Sequence, residues 1–159
     1  MTLIYDKVTV IGMGLIGASI ALSIRRGGLA GQVIGSDCST DVAKTVARLK
    51  LTDQFEADPA IATKDADLVI MAGPVGAVGK LAEQIIPHMK SGAVLTETGS
   101  TKTSVLRDVS PHLRNDIHWL PSHPLAGTEH SGPSSGFESL FDGRYWIVLP
   151  LDCDEMVVA

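Results

Sequence analysis

Ser100 and His123 are the side chains of this sequence whose types and positions best suit chemistry. A hydroxyl and an imidazole that each follow a predicted strand can together orient a substrate hydroxyl and take its proton. Histidine suits the second task because its unperturbed pKa is about 6.5. Each residue also has a plainer reading. Ser100, within Glu97-Thr98-Gly99-Ser100-Thr101-Lys102, could cap the helix that follows. His123 precedes Pro124, which biases it to extended backbone, and a loop histidine there could simply hydrogen-bond to backbone. On position alone the plainer readings are the stronger. What lifts both residues is a third motif, Gly12-Met13-Gly14-Leu15-Ile16-Gly17.

That motif is a G-x-G-x-x-G in its required setting, after a strand and at the start of a helix. The first glycine permits a tight turn, the second lets a pyrophosphate approach the backbone, and the third lets helix and strand pack closely. The helix N-terminus then stabilises phosphate charge. Asp37 ends the next predicted strand, 20 residues beyond Gly17, where a carboxylate binds a ribose 2′-hydroxyl. The alternative is a glycine turn that only packs a helix, with Asp37 solvated. The agreement of strand, glycines, helix and acid favours a dinucleotide. Asp37 would repel a 2′-phosphate, and Cys38, Ser39 and Thr40 supply no base, so NAD is favoured over NADP. Gly73-Pro74, after a third strand, joins the same expected site. With a nicotinamide beside them, Ser100 and His123 suit hydride removal from a carbon that bears a hydroxyl.

Other signatures fail. Gly73…Gly79-Lys80 has the wrong spacing for a P-loop, and Leu81 stands where Ser or Thr belongs. No G-x-S-x-G occurs. His118, His123 and His130 lack metal-ligand spacing, so no metal is expected. Cys38 and Cys153 are far apart, which fits a reduced, cytoplasmic protein.

Composition narrows the field further. The 159 residues carry 13 Lys and Arg against 18 Asp and Glu, a formal charge of −5. That balance, with 4% aromatic residues, gives no footprint for nucleic acid or anionic membrane. The uncharged run 8–24 approaches the length of a membrane span, but its three glycines and the preceding Asp6 argue against a span or a signal peptide. With 45% hydrophobic residues and a mean hydropathy of +0.22, the chain can build a core and is rather apolar for a complete soluble domain.

The elements that must position these groups alternate. Short apolar runs at 7–11, 32–36, 67–71, 93–96, 118–120 and 145–149 read as strands. Helices are predicted at 15–26, 40–50 with Val42, Val46 and Leu49 inward, 75–89, and from 101 to 109. A Gly/Ser/Pro-rich loop is expected over 121–136. The pattern implies an α/β, Rossmann-type, doubly wound and mainly parallel sheet with helices on both faces, whose post-strand loops share one ligand-binding edge. Residues 1–150 form the expected NAD-binding domain. Asp152-Cys153-Asp154-Glu155 has capping-box spacing, so 151–159 reads as the truncated start of a helical segment.

Taken together, GMGLIGAS (12–19), ETGSTK (97–102), PSHPLAGTEHSGP (121–133) and LFDGRYWIVLP (140–150) resemble the prephenate/arogenate dehydrogenases of tyrosine biosynthesis. The HPLAGTE stretch is the specific part. Glu97, where the family usually has Asp, and Gly73, where Thr is common, are mild departures. The resemblance implies oxidative decarboxylation of prephenate to 4-hydroxyphenylpyruvate with NAD reduction. His123 would accept the hydrogen bond of the substrate hydroxyl, Ser100 would orient that hydroxyl and the nicotinamide, and Glu129 would lie near the pocket mouth in a gating charge network. It also implies a C-terminal helical domain, absent here, through which the family dimerises and binds substrate. On that expectation the 159-residue chain binds NAD and is poorly active. Arogenate as substrate, a 3-hydroxy-acid type of dehydrogenase and a non-catalytic NAD-binding module are the alternatives.

Overall fold

The computed structural model describes residues 3–149. Strands β1 (Tyr5–Ile11), β2 (Ala30–Ser36), β3 (Gln54–Phe55), β4 (Leu68–Met71), β5 (Val94–Glu97), β6 (His118–Pro124) and β7 (Trp146–Val148) form one sheet in the order β3-β2-β1-β4-β5-β6-β7. All neighbours are parallel except β6 and β7, which are antiparallel. The first six strands in this order define the doubly wound dinucleotide-binding arrangement, with its switch point between β1 and β4.

The β-branched runs face two ways. Val8 and Val10 of β1 and Ile70 of β4 point into a core beneath α1 (Leu15–Gly27) and α2 (Thr40–Leu49). Their neighbours Ile11, Val69 and Met71 point into a second core beneath α4 (Val78–Ile85) and α5 (Lys102–Val109). Burial on both faces is why these strands are continuously apolar rather than alternating. Each fully buried Val or Ile contributes about 1.5–3 kcal/mol of transfer free energy. Among the described residues, no helix is long and apolar enough to cross a membrane.

Four readings need correction. The predicted helix over 75–89 is a 3-10 turn (Val75–Ala77), then α4, then a second 3-10 turn (Ile86–His88) that Pro87 enters at its first turn. Leu49 is 40% exposed rather than inward, because α2 ends there and Lys50 turns left-handed at φ 51°. The short strand β3 and helix α3 (Pro59–Thr63) carry too few residues to show periodicity. The last correction concerns the site itself. β6 does not stop at Leu120. It runs to Pro124 because β7 pairs with its final residues, Ser122 to Val148, His123 to Ile147 and Pro124 to Trp146. His123 is therefore a strand residue, and the expected loop begins only at Leu125. The 151–159 segment lies outside the described residues.

Candidate functional site

The glycine motif is built almost wholly from backbone. Gly12 adopts φ +91°, and a Cβ there would lie 2.6 Å from the Gly73 nitrogen, so the turns after β1 and β4 touch directly. A Cβ on Gly17 would lie 2.0 Å from the Gly12 carbonyl oxygen, a contact no side chain tolerates. Gly14 differs, because a Cβ would meet nothing within 4 Å. Its open side faces the cleft, as close approach by a ligand requires. Gly14 is also the N-cap of α1, with no capping side chain and no acid in the first turn. The first N–H groups of this helix are thus left for an anion.

Asp37 lies beyond the end of β2 and holds this turn in place. Its Oδ2 accepts from the Met13 N–H at 2.9 Å and its Oδ1 from the Ser39 N–H at 2.9 Å. Each carboxylate oxygen retains a lone pair for a further hydroxyl. Around it opens a cleft of about 920 Å³, within the usual range for small-molecule sites. Gly12, Gly14, Leu15, Ile16, Asp37, Gly73 and Pro74 all line it. Met13 and Gly17 support the wall from behind, both buried. Ser36 Oγ, buried in that wall, finds no hydrogen-bond partner among the described residues. The open Gly14, the uncapped helix and the acceptor at Asp37 fit a dinucleotide.

Ser100, beyond the end of β5, and His123, near the end of the adjacent strand β6, sit farther along the same edge and are not part of the wall of this cleft. The helix-cap reading of Ser100 fails, because the N-cap of α5 is Thr101. Ser100 is exposed and His123 half-buried. Between them lies a cluster that sequence reasoning did not single out. Glu97 is completely buried and pairs with Lys102. Its Oε2 accepts from the Gly99 N–H at 2.7 Å, and its Oε1 from the Ser122 N–H at 3.2 Å. Lys102 Nζ also donates to the Ser122 carbonyl at 2.5 Å. Ser122 Oγ donates to the Glu97 carbonyl at 2.8 Å and lies 3.0 Å from Thr96 Oγ1. An acid ending a buried strand, with a lysine five residues on, was the available signal.

The segment after β6 returns across α1. A Cβ on Gly136 would lie 2.6 Å from the Ala18 Cβ, and the Phe137 N–H donates to Ser19 Oγ at 3.1 Å. Arg26 pairs with Asp142 at 2.6 Å farther along. This path brings His130, Ser131 and Gly132 into the cleft wall opposite the glycine turn. Glu129 is exposed and lies 3.4 Å from the His130 ring. It therefore stands at the rim rather than inside. Among the described residues, no three His, Cys, Asp or Glu side chains gather as a metal site would require.

A family model described as "Prephenate dehydrogenase, nucleotide-binding domain" matches residues 20–157. The cyclohexadienyl dehydrogenase of Zymomonas mobilis is 37% identical over 147 residues, covering 92% of this chain and 50% of that protein. The chain thus spans about half the length of that relative. A prephenate dehydrogenase from A. aeolicus, solved with hydroxyphenyl propionate and NAD+, superposes with a TM-score of 0.88 at 26% identity, over 99% of this chain and 55% of that one. Synechocystis arogenate dehydrogenase superposes with a TM-score of 0.86 at 27% identity, over 96% and 53% respectively.

Proposed function

The chain belongs to the prephenate dehydrogenase family, as its nucleotide-binding domain, and from that premise we propose that residues 1–150 bind NAD and supply the cofactor half of a cyclohexadienyl dehydrogenase. The observation that carries the reading is the Gly12–Gly14–Gly17 turn braced by Asp37 at the mouth of the cleft. The substrate would be prephenate, converted to 4-hydroxyphenylpyruvate and CO2. Arogenate, which carries an amino group in place of the keto group, would undergo the same ring chemistry.

Bound NAD would accept the hydride from the ring carbon that bears the hydroxyl. The chain's own residues do the rest. The glycine turn and the N-terminus of α1 hold the pyrophosphate, and Asp37 accepts from the ribose hydroxyls. Ser100 orients the substrate hydroxyl, and the His123 imidazole takes its proton as the carbon becomes a carbonyl. The electron pair of the bond to the ring carboxylate then flows into the ring as CO2 leaves. The proton returns to the phenolic oxygen, so none is gained or lost overall. Glu129, at the rim beside His130, contributes charge at the entrance.

Titration with NAD and NADP tests the cofactor reading, with NAD expected to bind at least about tenfold more tightly, given the carboxylate against the 2′-phosphate. Equal affinity would overturn it. NADH formation from prephenate or arogenate, by the chain alone and with the C-terminal half of the Zymomonas mobilis relative supplied, tests the reaction. Absence of NADH with both substrates under both conditions would leave a binding module without this activity.

A further inference from the structure

Ser100 and His123 arrive from different strands, and a proton can pass to His123 from a hydroxyl that Ser100 orients only if their separation is fixed. The residues immediately ahead of each converge on one carboxylate. Glu97 accepts the N–H of Gly99 on one oxygen and the N–H of Ser122 on the other. Lys102 pairs with the same carboxylate and donates to the Ser122 carbonyl, the oxygen of the peptide bond that leads into His123. Glu97 is 0% exposed and Lys102 17%.

We propose that Glu97 and Lys102 are the positioning residues of this site, a buried latch that fixes the Ser100 turn against the His123 strand. This rests on the reading of Ser100 and His123 given above. Two arguments single the pair out. First, a buried ion pair contributes little net stability, because desolvation offsets the attraction, and an apolar pair of similar volume would often hold the fold as well. Second, the two carboxylate oxygens each accept an N–H from a different element, and an apolar replacement would leave both N–H groups unpaired. The pair therefore sets geometry at the junction of β5 and β6. Lys102 is also the first residue of α5, so the latch ties that helix to the same point.

Three forms of the full 159-residue chain test this: the unchanged protein, Lys102→Arg, and the double variant Glu97→Gln/Lys102→Met. The double variant removes both charges together and so avoids stranding a buried ion. Amide hydrogen exchange is read at Gly99 and Ser122, with Val8 and Val10 of β1 as internal controls. Exchange in the double variant is expected to accelerate about tenfold or more at Gly99 and Ser122 and to stay within about twofold in β1. NADH formation, with the C-terminal half of the relative supplied, is expected to show kcat lowered about 10²-fold with the KM for NAD within about twofold. Lys102→Arg, which keeps the charge on a larger, planar donor, should retain more of kcat than the double variant. A general loss of structure would raise KM and speed exchange everywhere.

Unchanged exchange at Gly99 and Ser122, or faster exchange with kcat unaffected, overturns the latch. If the unchanged protein forms no NADH from either substrate, the functional reading falls, and the exchange pattern alone decides whether the latch exists.

Discussion

Two stretches of one sheet edge are built by opposite means. The turn after β1 is held by what its residues lack. Gly12 and Gly17 have no Cβ where one would strike backbone, and Gly14 leaves its side open. The junction of β5 and β6 is held by what its residues carry, a buried carboxylate and a half-buried ammonium that gather three backbone groups. The first region is rigid by steric exclusion and presents amides to a ligand whose charge is spread over phosphates. The second is held by charge, and it joins the turn that carries Ser100 to the strand that carries His123. Binding a common cofactor tolerates a backbone cradle. Reaction at a single atom needs side chains, and these need an anchor of their own.

The sharpest way to break this contrast is to remove the proposed proton acceptor. His123→Asn is expected to lower kcat by about 10²–10⁴-fold while leaving NAD affinity within about twofold, as read by steady-state rates and by NAD titration. A variant with normal kcat removes His123 from the mechanism.

Next is Gly17→Ala, which places a methyl group 2.0 Å from the Gly12 oxygen. It should cost about 3 kcal/mol and lower Tm by roughly 10 °C. Gly73→Ala makes a matched control, since a Cβ there meets nothing within 4 Å and should change stability by about 0.5 kcal/mol or less. Equal losses in the two variants would contradict the steric account.

Asp37→Ala should weaken NAD about tenfold and narrow the preference over NADP, because it removes both the ribose acceptor and the repulsion. Calorimetric titration with both dinucleotides measures this.

The smallest effect belongs to the opposite edge of the sheet, away from either region. Burial opposes ionisation of Asp67, but the Lys90 ammonium and the amides of Lys7 and Asp6 outweigh it and hold its carboxyl below the usual aspartate range. A group whose folded pKa is depressed adds stability above its unfolded pKa, about 3.9, and loses that contribution as pH falls through the folded value. Asp67→Asn should therefore cost about 1 kcal/mol at pH 7. The gap from the parent should close progressively below about pH 4, as measured by urea unfolding. A gap that persists at low pH would mean the side chain acts through packing.

Legibility in the sequence follows the same division. The glycine turn, Asp37 and the alternation of β1, α1, β2 and α2 depend on local spacing, so they could be read directly, and the doubly wound sheet follows from them. The reach of β6 to Pro124 could not, because it depends on pairing with β7 from beyond a long excursion. Ser122 and His123 look like loop residues until that partner is in place. Glu97 looked like a mild substitution, and its burial becomes evident only when β6 lies beside β5. Local chemistry can be read from spacing, whereas anchoring across strands needs the register.

The excursion itself has a consequence for how such a chain can vary. It leaves the sheet at Leu125 and returns at Tyr145, and its two ends are joined by a hydrogen bond from the Leu125 N–H to the Tyr145 carbonyl at 2.8 Å. A loop closed at its base can lengthen or shorten at modest entropic cost, since closure entropy grows only with the logarithm of length. Insertions at the exposed Gly127-Thr128 step would leave the pairing of β6 with β7 in register. A splice there would spare the strand that carries His123 and be felt at the cleft rim, where Glu129 and His130 stand.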